Sequence, residues 1–114
     1  MAQDAQGYIW LTTNRNGVWK STSNQISPQL KFEMWEPSRN NEYYCLHNDV
    51  NGSLWIGDEN GMVQWLNPLT SQIVKYKPKY DGITSVGSIR KIYLCLHNRL
   101  WLVTSKGLFI YDYL

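Results

Sequence analysis

Apolar residues gather along this chain in short runs, each closed by Gly, Asn, Asp or Pro, and the runs recur. Ile9-Trp10-Leu11, Leu54-Trp55-Ile56 and Leu100-Trp101-Leu102-Val103 share a centre, and the three Trp stand 45 and 46 positions apart. Three residues before each Trp comes Gly7, Gly52 or Asn98, types that tolerate positive φ in a tight hairpin. Six residues before it stand Asp4 and Asp49, which can bond their own turn backbone, with Cys95 at that place in the third copy. A second glycine follows each Trp, at Gly17, Gly61 and Gly107, and opens another apolar run.

Each copy therefore reads as a string of short strands. The middle copy predicts strands near 42–47, 53–57, 61–66 and 72–76, with Asn67-Pro68-Leu69-Thr70 as the last turn. The first copy supplies 8–13, 17–21 and 30–35, the third 88–95, 99–104 and 107–112, making ten strands in all. Four-stranded repeats of about 40–45 residues with a Gly/Trp signature match the blades of a β-propeller. The Trp-centred strands support this, because they are apolar without alternation. Side chains of a strand point alternately to the two sheet faces, so both faces must be buried. Stacked blades provide that, whereas a two-sheet sandwich would leave one face wet.

The expected architecture is all-β: a single partial propeller over 1–114 of about two and a half to three four-stranded antiparallel blades, at 1–38, 39–84 and 85–114. The first blade is expected to lack most of its first strand and the third its fourth. A ring uses about four to eight blades, so an apolar face is left bare at each end. Patches above roughly 400 Å² promote association. The partners implied are the remaining blades of a parent propeller or other copies of the chain. Ten strands do not divide into four-stranded blades, which favours a fragment over a seamless oligomeric ring.

Cys45-Leu46-His47-Asn48 recurs word for word as Cys95-Leu96-His97-Asn98. Measured from the aligned Trp, the first begins ten residues upstream and the second six, so the two are not equivalent in register.

Composition adds six Trp and eight Tyr, residues that suit packed strands. The formal charge of +2 is too weak and too spread for nucleic acid. The densest basic stretch, Lys75-Tyr76-Lys77-Pro78-Lys79-Tyr80, reads as a protected outer strand, since Lys and Pro block edge pairing. No apolar run reaches the roughly 18 residues that span a membrane, and the first residues do not resemble a signal peptide. The two cysteines, Cys45 and Cys95, with 49 residues between them, read as buried thiols and not as a disulfide.

Asp4-Ala5-Gln6-Gly7-Tyr8-Ile9-Trp10-Leu11-Thr12-Thr13 and Asp49-Val50-Asn51-Gly52-Ser53-Leu54-Trp55-Ile56-Gly57 resemble the two-component regulator propeller repeat, which runs Asp-x-x-Gly-x-Leu-Trp-Ile-Gly-Thr. Gly107-Leu108-Phe109-Ile110-Tyr111-Asp112 is similar to its second half, Gly-Leu and then an aromatic-Asp pair. The resemblance implies the extracytoplasmic or periplasmic sensor region of a bacterial hybrid two-component regulator. There, propellers precede a β-sandwich, a membrane helix and a histidine kinase, and several such receptors sense oligosaccharides. The role implied is that of a ligand-binding and dimerisation scaffold; the alternative is a free-standing, oligomeric, lectin-like carbohydrate-binding module.

No catalytic site is expected. His47 and His97 lie in no nucleophile motif, and Asp58, Glu59 and Asp81 fall in turns, where a solvated charge is the default. The Cys45/His47 and Cys95/His97 pairs look superficially like zinc ligands, but their register mismatch argues against a metal site. No cofactor is implied. Sugars are held by aromatic faces together with planar polar groups. On that ground the ligand-binding candidates are Trp35 with Arg39, Asn40 and Asn41, and Arg15 with Asn14 and Asn16. Core packing of Trp35 is the competing reading.

Overall fold

The computed structural model describes residues 1–13, 17–35, 38, 43–49, 51–95 and 98–113, apart from the Tyr44 side chain. It holds eleven strands among them: β1 (Ala2–Gln3), β2 (Ile9–Thr12), β3 (Val18–Ser21), β4 (Phe32–Met34), β5 (Tyr43–Asn48), β6 (Leu54–Asp58), β7 (Val63–Asn67), β8 (Gln72–Tyr76), β9 (Ile89–Cys95), β10 (Arg99–Thr104) and β11 (Gly107–Asp112). They form three antiparallel sheets in chain order, β1-β2-β3-β4, β5-β6-β7-β8 and β9-β10-β11. This is an arc of propeller blades. The strand beyond the expected ten is β1, which pairs Ala2 with Trp10 and Gln3 with Ile9. Two residues are too few to show a period, so the pattern alone could not display it.

The sheets stack face to face, and the Trp-centred strands show how. Trp10 is buried against the second sheet, in a core with Ala2, Val18, Tyr43, Leu54, Ile56 and Leu66. Trp55 is buried against the third, with Val63, Val86, Ile89, Ile92, Leu100 and Leu102. In each repeat the Trp thus points to the following sheet and its two aliphatic neighbours to the preceding one. Of the three Trp-centred strands only β6 has a sheet on both sides, and all five of its residues are buried. In β10, Leu100 and Leu102 are buried, while Trp101 is 40% and Val103 37% exposed. The equal hydrophobicity of the three strands is therefore satisfied on both faces in only one of them.

Close stacking is set by small residues. A Cβ at Gly57 would lie 2.4 Å from Cγ2 of Ile89, so the absent side chain lets β9 of the third sheet approach β6. The echoing tetrapeptides do occupy different places. Cys45 pairs with Gly57 inside β5, and Asn48 with Leu54. Cys95 instead closes the β9–β10 hairpin opposite Arg99, and Asn98 sits in its turn with φ +63°. Of the basic stretch read as an outer strand, Lys75 and Tyr76 end β8 at the outer edge of the second sheet, while Lys77, Pro78 and Lys79 lie beyond it in no strand, with Lys75, Lys77 and Lys79 exposed.

Candidate functional site

The turn carboxylates organise one end of the sheets. Asp4 Oδ1 accepts from the amides of Gln6 and Tyr8, and its Oδ2 accepts from Trp10 Nε1 at 2.9 Å. Gly7 closes that turn at φ +94°. Asp49 repeats the arrangement on the amides of Asn51 and Ser53, with Gly52 at φ +81°. Its second oxygen, however, accepts from Trp65 Nε1, at 3.4 Å. Trp55 Nε1 is left buried without a hydrogen-bond partner among the described residues.

Beside this carboxylate lies a cleft of about 440 Å³ between the second and third sheets, lined by Asp49, Asn51, Trp55, Trp65, Tyr76 and Tyr113 among others. Trp55 meets Tyr113 at 4.9 Å and Tyr76 at 5.8 Å between ring centroids, so one wall is a continuous aromatic surface. Flat apolar walls rimmed by a carboxylate and two amides suit a ligand that has both an apolar face and polar edges.

Asp58 forms a third turn of the same kind, accepting from the amides of Asn60 and Met62 ahead of β7. It is buried, not solvated, and burial raises its carboxyl above the ordinary 3.8 against the opposing pull of the Met62 and Asn60 amides. The signal was present in the chain as Asp58-Glu59-Asn60-Gly61, the same Asp-x-x-Gly spacing one hairpin later. Cys45 donates its thiol to the Ile89 carbonyl at 3.6 Å. Burial pushes that thiol up to about 12, the reverse of what a nucleophile or metal ligand needs.

Of the ligand-binding candidates read from sequence, Arg15 and Arg39 lie outside the described residues, as do Asn14, Asn16, Asn40 and Asn41. Trp35 is half-buried and meets Trp10 edge-on, with centroids 6.1 Å apart and planes at 77°, against the core between the first and second sheets. The residues that line the cleft are not among those candidates, although Asp49 and Trp55 stand in the repeat signature. Trp65 and Tyr76 belong to strands whose composition is that of any core, and Tyr113 reaches them only through the stacking of a third sheet.

Residues 37–60 match the family described as two component regulator propeller. The match lies in this one segment, well under half of the chain, and makes it similar to a repeat of that family. The matched span runs through β5, the Asp49 turn and β6 to the Asp58 turn, the segment in which the hairpin and its carboxylates are most complete. The family so described is one of propeller repeats, in keeping with the stacked sheets. Neither a curated protein nor a solved structure matches the chain significantly. Among the described residues no helix is long and apolar enough to cross a membrane.

Proposed function

We propose that the chain is an arc of the extracytoplasmic, periplasmic-side ligand-sensing propeller of a two-component regulator, a sensor histidine kinase. In that role it serves as a ligand-binding and dimerisation scaffold, and the phosphoryl-transfer chemistry belongs to other parts of the parent. The observation that carries the reading is the pair of uncovered end faces on a chain with a regulator-propeller repeat. On the third sheet Tyr93, Trp101, Val103, Leu108 and Ile110 are all exposed, by 37–58%. On the first, Ile9 and Leu11 are only half-buried, although their counterparts Leu54 and Ile56 are wholly buried. The Trp of one repeat and the aliphatic pair of the next are the two surfaces that meet inside the chain, so further blades of the same type fit both ends.

Light scattering on the purified chain tests this. Open-ended, polydisperse association through the two faces is the expected result. A discrete closed oligomer would instead favour a free-standing lectin-like ring, a reading that the aromatic and amide lining of the cleft supports. Titration with an oligosaccharide panel, monitored by calorimetry, checks the ligand, and turnover of any glycan by the pure chain would overturn the non-enzymatic role.

A further inference from the structure

The chain holds three Asn-Gly pairs, at 16–17, 51–52 and 60–61, and the last two sit in turns of one design. In Asp49-Val50-Asn51-Gly52 the carboxylate accepts from the amides of Asn51 and Ser53. In Asp58-Glu59-Asn60-Gly61 it accepts from those of Asn60 and Met62. Both glycines stand at φ +81°, and both Asn residues are exposed, their side chains without a hydrogen bond among the described residues. Asn-Gly is the pair most open to attack by a backbone nitrogen on the preceding side chain, because glycine puts no Cβ in the way.

The two turns differ at the peptide whose nitrogen attacks. Gly52 donates its N–H to the Asp49 carbonyl at 3.1 Å, and no donor reaches the Asn51 carbonyl among the described residues. The Gly61 N–H has no acceptor among them, and the Asn60 carbonyl accepts from Ser85 Oγ at 3.3 Å. A hydroxyl on a peptide oxygen draws electron density from the nitrogen of the same peptide and makes its proton easier to lose. At 60–61 the nucleophile is therefore both unengaged and activated, and at 51–52 it is neither.

We propose that Asn60-Gly61 is a site of self-modification, at which the Asn60 side chain deamidates with Ser85 promoting the step. Gly61 N gives up its proton and attacks Asn60 Cγ, and the new C–N bond closes a five-membered succinimide. The Cγ–Nδ2 bond breaks, and Nδ2 leaves as ammonia with that proton. Water then opens the ring at either carbonyl, leaving aspartate or isoaspartate at position 60. Isoaspartate adds a carbon to the main chain where Gly61 is closely packed: a Cβ there would lie 2.9 Å from Ser85 Oγ and 3.2 Å from the Gly87 carbonyl. Ser85 and Ser88 hold this turn through the Asn60 and Glu59 carbonyls. Conversion therefore releases the Asp58 turn from segment 85–88, which leads from the second sheet into the third.

Incubation of the intact chain in mildly alkaline buffer, followed by peptide mapping with mass spectrometry, tests this. In the folded chain Asn60 is expected to convert faster than Asn51. In urea the two should convert at similar rates, since both precede glycine. Ser85→Ala should slow Asn60 roughly fivefold, the rate equivalent of one ordinary hydrogen bond, and leave Asn51 unchanged. The rate ratio in the wild-type chain decides the matter even where S85A fails to fold. The converted chain gains negative charge and separates by ion exchange, and its amides at 85–88 should exchange hydrogen faster than those of the unconverted chain. Asn51 converting as fast as Asn60 in the folded chain, an unchanged Asn60 rate in folded Ser85→Ala, or unchanged exchange at 85–88 would overturn the inference.

Discussion

Asp4 and Asp49 occupy one place in successive repeats and make the same two turn bonds, but they serve different indoles. Asp4 holds the buried Trp10 at 2.9 Å, while Asp49 holds the half-buried Trp65 at 3.4 Å. Losing a partner strands a buried donor, at a cost of about 1–3 kcal/mol. Asp4→Ala should therefore destabilise the chain by about 1 kcal/mol more than Asp49→Ala, read as the difference in urea midpoint at constant slope. Asp58 supplies a second test. Its folded carboxyl is raised above 3.8 by burial, so the folded state holds this proton more tightly than the unfolded one. Stability is then lost as pH rises from the unfolded value through the folded one. Asp58→Asn keeps an oxygen for the Asn60 and Met62 amides and has no proton to release. Relative to wild type it should gain stability as pH rises above 3.8, measured by denaturation at a series of pH values; a difference that does not change with pH would refute the account.

At the scale of elements, the hairpins and the fact of stacking were legible, and the contacts that set the stacking distance were not. The strands expected at 72–76, 99–104 and 107–112 fall on β8, β10 and β11 residue for residue, because turn chemistry and apolar runs are local properties. Gly57 shows what is not local. In the chain it ends an apolar run; in the fold it is where β9 comes within van der Waals distance of β6. Gly57→Val should push the second and third sheets apart, costing about 1–3 kcal/mol as an overpacked core does. Thermal unfolding followed by circular dichroism would report it. Gly82, beside which a Cβ meets nothing within 4 Å, supplies a control for crowding, although its own φ of +76° carries a backbone penalty.

For the whole molecule, three stacked sheets expose two unlike ends, and the stack has no internal rule for stopping. Trp101 and Ile110 face each other across β10 and β11 on the outer face of the third sheet. Replacing both with Lys should suppress self-association in light scattering while leaving the strand signal in circular dichroism unchanged. The same change at Trp55, which is 2% exposed, should unfold the chain. Persistent association of the double Lys variant would mean that the third-sheet face is not what joins the chains.

The chain by itself determined the repeat, its register on Trp10, Trp55 and Trp101, the Asp-Gly turns and the blade architecture. All of these depend on residues close in sequence. Only the tertiary structure decided which side chains cover which, with Trp10 and Trp55 turned to the following sheet and their aliphatic neighbours to the preceding one, because that depends on a neighbour and not on composition. The same holds for the cleft beside Asp49. Its walls come from side chains of the second sheet and from Tyr113 beyond β11, far apart in sequence.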